Sequence, residues 1–256
     1  ESPAAISYNR IFSNTATATP VFSGTIPLDP SGGGGVYAER SDAKVQSSII
    51  EYNSAGAGTG AGLHFWDFRQ PEINSNVVAD NLGAGVYIQA TADTTADPPA
   101  VRIRHNTVSR NEGAGVLIAG QTNADLLNNI IWANTEGGIS TTGEMVSQTV
   151  TIDYTFWGEE EPDVVLSDNI SSTVTQDNDF SGENPAFRDP DAGDYHIKRI
   201  SMAFQLGKNT DGATDLDAEE RNQGKFADIG ADEYTFRQTR YASPTGGAEE
   251  QCLNWK

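Results

Sequence analysis

Apolar residues in this chain come in short, β-branched runs set between Asn and Gly, and one phrase returns five times. It reads Asn9-Arg10-Ile11-x-x-Asn14, Ser48-x-Ile50-x-x-Asn53, Asn76-x-Val78-x-x-Asn81, Asn106-x-Val108-x-x-Asn111 and Asn129-x-Ile131-x-x-Asn134. A Gly-rich step into an apolar segment follows each phrase, at Gly34-Gly35-Val36, Gly60-Ala61-Gly62-Leu63, Gly83-Ala84-Gly85-Val86, Gly113-Ala114-Gly115-Val116 and Gly137-Gly138-Ile139. The second Asn recurs at intervals of 39, 28, 30 and 23 residues, the spacing of a repeat architecture with insertions in its loops. No stretch holds an i, i+3, i+4, i+7 apolar stripe for three turns, so the repeated units are strands.

Short strands that recur once per repeat and pair only with their neighbours make a parallel β-helix, with equivalent residues stacked about 4.8 Å apart. On this reading Asn14, Asn53, Asn81, Asn111 and Asn134 form a ladder of stacked amides at a turn, where Asn also tolerates the left-handed conformation. The step glycines are expected to supply the positive φ of a sharp corner.

Strand alternation then sorts the faces. Val36, Leu63, Val86, Val116 and Ile139 point inward; Tyr37, His64, Tyr87, Leu117 and Ser140 form one outward column, and Glu39, Trp66, Gln89, Ala119 and Thr142 the next. Tyr37, His64, Trp66 and Tyr87 thereby make an aromatic patch roughly 10 Å long. A patch of that size can stack on two sugar rings, and it is the expected carbohydrate-binding site. On another face Lys44, Glu72, Arg102 and Asp125 alternate in sign, and Asp80 stands over Arg110. Opposite charges across neighbouring coils hold the register, because a slipped register sets like charges together.

The phrases resemble the right-handed parallel β-helix repeats of the pectin-lyase-like superfamily, over residues 4–157. Further on, Asn184-Pro185-Ala186-Phe187-Arg188-Asp189-Pro190, Gly193-Asp194-Tyr195-His196-Ile197 and Asp228-Ile229-Gly230-Ala231-Asp232-Glu233-Tyr234 resemble the C-terminal module of the bacterial β-helix proteins described as choice-of-anchor. The resemblance implies an all-β, right-handed parallel β-helix solenoid with an irregular C-terminal cap. It also implies an extracellular or bacterial cell-surface location. The division expected is coils over 1–157, a closing coil and cap over 158–236, and a tail or docking segment over 237–256. Trp157, Phe187, Tyr195 and Tyr234 are expected inside the cap that covers the open end of the solenoid.

Composition narrows the partners. A formal charge of −20 over 256 residues excludes nucleic acid and anionic membranes, whose phosphates would be repelled. The single cysteine, Cys252, excludes an internal disulfide, and no apolar run is long enough to span a membrane. Glu1 reads as the start of a processed or trimmed chain. Because Ile6, Asn9, Ile11 and Asn14 already occupy coil positions, the first coil is expected to be covered by another protein chain or an upstream precursor segment.

Catalytic chemistry is harder to place. Arg102-Ile103-Arg104-His105 resembles the Arg-Ile-Lys triplet of polygalacturonase-like β-helices, but paired carboxylates at about 5 to 9.5 Å, which a general-acid mechanism needs, do not flank Arg104. Lyases of the superfamily use calcium-binding acids beside an Arg or Lys base, for which Glu72 and Asp80 flanking Arg102 and Arg110 are the nearest residues. His64, His105 and His196 lie in separate repeats without metal-ligand spacing. Calcium is the cofactor the sequence admits, at Asp189, Asp191 and Asp194 or on the acidic turn of Asp211, Asp215 and Asp217. These features point to a secreted or cell-surface β-helix acting as a structural, adhesive or glycan-binding element. The alternative is a polysaccharide lyase or glycoside hydrolase.

Overall fold

A computed structural model describes residues 4–235 except 18–20, 24, 25, 30–32, 56–59, 91–98, 144–146, 159–163, 167–170, 183 and 212. The segment 237–256 lies outside the described residues. Three parallel sheets run the length of a solenoid. The first stacks Ala5–Ser7, Lys44–Gln46, Glu72–Asn74, Ala100–Arg104, Asn123–Leu127, Ser147–Asp153 and Ser171–Asp177. The second stacks Arg10–Phe12, Ile49–Glu51, Val77–Ala79, Thr107–Ser109, Ile130–Trp132, Phe156–Gly158 and Phe180–Gly182. The third stacks Val36–Glu39, Gly60–Trp66, Ala84–Ala90, Val116–Gly120, Ile139–Thr142 and Val164–Val165. An antiparallel hairpin of Val21–Ser23 and Ile26–Asp29 is inserted in the first coil.

The register is the one the repeats predict. Val36, Leu63, Val86, Val116 and Ile139 pair in a row, with Tyr37, His64, Tyr87, Leu117 and Ser140 beside them. Inward residues of all three sheets, such as Ile73, Ile103 and Leu126, Ile50, Val78 and Val108, and Leu63, Val86 and Val116, merge into one core. A one-residue slip would turn every one of them to the outside.

The corners differ in chemistry from the sequence expectation. Asn14, Asn53, Asn81, Asn111 and Asn134 stand one above another, each Nδ2 donating to the next Oδ1 at 2.9–3.1 Å. Yet none of these Asn is left-handed. The residue before each one is: Ser13, Tyr52, Asp80, Arg110 and Ala133 have φ between 54° and 58°. A second ladder, unforeseen as such, joins Asn76, Asn106 and Asn129 at 3.0 and 3.1 Å. It too is preceded by left-handed residues, Ser75, His105 and Asn128.

Among the step glycines only Gly83 and Gly137 have positive φ. Gly35 and Gly115 serve close approach: a Cβ on Gly35 would lie 2.7 Å from the Gly62 carbonyl oxygen, and one on Gly115 2.7 Å from that of Gly138.

One expectation about the C-terminal half is corrected. Past 157 one further coil stacks, through Val164–Val165, Ser171–Asp177 and Phe180–Gly182. The described segment after it does not close the end of the solenoid. It lies along the outer face of the second sheet, where Val77, Ala79, Ile130 and Phe156 pack against Phe187, Tyr195, Ile197, Ala203, Leu216, Ile229 and Ala231. Polar ties run beside this seam, from Ser47 Oγ to the Asp215 carbonyl, Ser75 Oγ to that of Thr214 and Asn128 Nδ2 to that of Lys208. Trp157 belongs to the solenoid interior, not to this seam.

Candidate functional site

The outer face of the first sheet carries the polar chemistry. Lys44, Glu72, Arg102 and Asp125 pair in one row, and Gln46, Asn74, Arg104 and Leu127 in the row two residues on. Lys44 Nζ meets Glu72 at 2.7 Å, Arg102 reaches the same carboxylate at 3.3 Å, and Arg104 is paired with Asp125. The hydrogen bond from Lys44, reinforced by Arg102, holds the Glu72 carboxyl below the usual carboxylate range.

Between these rows lies a shallow depression of about 130 Å³ lined by Glu72, Ile73, Asn74, Arg102 and Arg104. Two atoms at its wall, Asn74 Oδ1 and Arg104 Nε, are buried without a hydrogen-bond partner among the described residues. Such atoms are rare in folded proteins, since each forgoes its bond to water. Beside them the partly exposed Arg102 and Arg104 guanidinium groups and the Glu72 carboxylate suit a ligand rich in hydroxyls.

The aromatic column forms, but not as an exposed platform. Tyr37 and His64 centroids lie 5.2 Å apart, His64 and Tyr87 4.6 Å, and His64 and Trp66 6.5 Å. His64 is 0% exposed, Tyr87 3% and Trp66 6%, while Tyr37 alone, at 40%, meets solvent. Tyr87 donates to Gln89 Oε1, and burial pushes its phenol well above the ordinary value. The outward position on a strand decides which way a side chain points, not what lies over it, and this is where alternation misled.

Other expected sites come apart. In the Arg102-Ile103-Arg104-His105 run the two arginines face the depression and Ile103 points into the core. His105 turns under the C-terminal segment against Thr210 at 3.0 Å. Burial, with Arg221 and Arg104 nearby, drives its pKa well below the ordinary histidine value. Asp80 does not join Glu72. It sits past the second sheet, bound by Arg110 at 3.0 Å and by the Tyr195 hydroxyl at 2.7 Å.

Asp189, Asp191 and Asp194 likewise fail to converge as a calcium site: Asp191 pairs with Arg110 at 2.6 Å and Asp194 with His196 at 2.5 Å, while Asp189 is exposed. Asp215 is buried, taking the backbone N–H groups of Asp217, Glu219 and Glu233. Asn74 was not singled out from the sequence, although counting two residues beyond Glu72 along the strand would have reached it.

The sequence profile of the right-handed β helix region family matches residues 4–153. The chain belongs to this right-handed β-helix family. No curated protein matches the sequence. Among solved structures, the crystal structure of pectate lyase Pel9A aligns at 12% identity and a TM-score of 0.43, covering 90% of this chain and 65% of that one. That likeness carries no argument about activity. No helix among the described residues is long and apolar enough to cross a membrane.

Proposed function

We propose that this right-handed β-helix is a non-catalytic glycan-binding element, displayed at the bacterial surface or released from it, and that it binds through the outer face of the first sheet. The depression lined by Glu72, Asn74, Arg102 and Arg104 carries this reading. Parallel rows set about 4.8 Å apart present guanidinium, amide and carboxylate groups along a line, as an extended polysaccharide requires. Arg102 and Arg104 would take sugar carboxylates or vicinal hydroxyls, with Asn74 on the depression's wall between them. Glu72, kept ionised by Lys44 and Arg102, is a hydrogen-bond acceptor and not a proton donor to a leaving group.

The test is retention on an array of bacterial and plant polysaccharides. Arg104→Ala and Asn74→Ala are each expected to weaken retention about tenfold, with Arg40→Ala, the same charge change on an exposed residue elsewhere, as the control. Equal retention by all variants would remove the proposed face. Release of unsaturated or reducing-end products would favour the polysaccharide lyase or hydrolase reading instead.

A further inference from the structure

The C-terminal segment gathers three metal-ligating side chains that are far apart in sequence. His196 stands on the strand Asp194–Ile197, Asp217 on an exposed turn and Asp232 on the stretch that leaves the second sheet's face. One imidazole nitrogen and one oxygen from each carboxylate all lie within 4.8 Å of one another. Histidine spacing along the chain gave no sign of this, because the three segments meet only when the chain folds back over the solenoid.

The imidazole is oriented from behind. Asp194 Oδ1 lies 2.5 Å from Nδ1, which leaves Nε2 facing Asp217 Oδ2 at 2.9 Å. A carboxylate on the far nitrogen is the arrangement that fixes the tautomer of a metal-bound histidine. Asp232 completes the group from the buried side: it is only 5% exposed, and its Oδ2 accepts the Ile197 N–H at 2.9 Å. The buried Arg221 lies near it, with Nη2 directed at the Ala231 carbonyl and Ser75 Oγ.

The geometry points to a binding site for a divalent transition-metal ion, formed by His196 Nε2, Asp217 and Asp232, with Asp194 orienting the imidazole. One nitrogen and two carboxylates, with Asp217 exposed to solvent, suit Zn²⁺ or Mn²⁺ better than Ca²⁺, which takes six to eight oxygen ligands. Binding displaces the proton from Nε2 to solvent, and the ion replaces it between imidazole and carboxylates. A bound ion would pin the strand, the turn and the terminal stretch to one another, so it would stabilise the segment that covers the second sheet. This site is independent of the glycan-binding face.

The experiment uses the full chain, stripped with EDTA and titrated with ZnCl₂, and separately with CaCl₂, by calorimetry and thermal melting. One Zn²⁺ per chain is expected, with a raised melting temperature and Ca²⁺ at least tenfold weaker. Asp194→Asn should weaken Zn²⁺ by about ten- to a hundredfold. Asp217→Asn, at an exposed position that leaves the buried packing intact, should weaken it at least tenfold. The His196 Nε2 resonance should shift on saturation. Absence of saturable Zn²⁺ binding, a preference for Ca²⁺, or unchanged affinity in Asp217→Asn would overturn the proposal.

Discussion

Each corner of the solenoid divides its work between two adjacent residues. The first bends the chain in the left-handed region, and the second, usually Asn, binds the coils above and below. Asn111 shows how much rests on the second. Its Oδ1 accepts from the Asn81 N–H and Nδ2, and its Nδ2 donates to the Asn134 Oδ1 and the Val78 carbonyl. All of this is buried. Asn111→Leu strands donors and acceptors of three coils away from water and is expected to cost about 3 kcal/mol, read as a lowered midpoint in urea. Ala133→Gly, at the bending position with φ 58°, should cost nothing, because glycine is free of the Cβ penalty there. If the two variants lost stability equally, the division of roles would be wrong.

At the scale of the element, what stacks is a row of side chains and not a strand. The row Lys44, Glu72, Arg102 and Asp125 places Glu72 between two cations. All three are partly exposed, so each pair contributes about 0.2–1 kcal/mol. Glu72→Lys would set three cations in line across successive coils. A loss of about 1–2 kcal/mol is expected at low salt, shrinking toward zero in 1 M salt as the charges are screened. A salt-independent loss would mean that Glu72 matters through packing. The glycine rows obey the opposite logic, since their value lies in the missing side chain, which lets the backbone of one coil approach that of the next.

For the whole molecule, the decisive feature is the acidic nest that anchors the C-terminal segment. Arg221 is buried with Asp215, Asp228, Asp232 and Glu233. Burial, reinforced by Glu233, pushes Asp228 up to about 7, and burial pushes Asp232 up to about 6. An unfolded aspartate titrates near about 3.9, so the folded state binds more protons between that value and 7. The stability these acids contribute is therefore fully present below about pH 4 and is lost as pH rises through 6 and 7. His105, held neutral by burial, has the opposite slope below about pH 6.5. The cleaner measurement is thus a difference: relative to Asp228→Asn, the wild-type chain in EDTA should lose stability from pH 5.5 to about 7 and level off above that. A difference that stays flat or rises would show that Asp228 is ionised in the nest throughout.

The repeats determined the coil, the inward rows and the register, because these depend on residues a fixed distance apart in one strand and the next. Val36, Leu63 and Val86 could be aligned without coordinates, and so could Lys44, Glu72 and Arg102. Half of the C-terminal outcome was also written in the chain. Val77-Val78-Ala79, Ile130-Ile131-Trp132 and Phe156-Trp157 are apolar at consecutive positions, which is what a strand covered on both faces shows. What covers that face was not legible, since it depends on where a non-repeating segment lands. The burial of His64, Trp66 and Tyr87, the parting of Asp189, Asp191 and Asp194, and the meeting of His196 with Asp217 and Asp232 belong to the same class. Local periodicity sets a side chain's direction, but its neighbours from distant segments are chosen by tertiary packing alone.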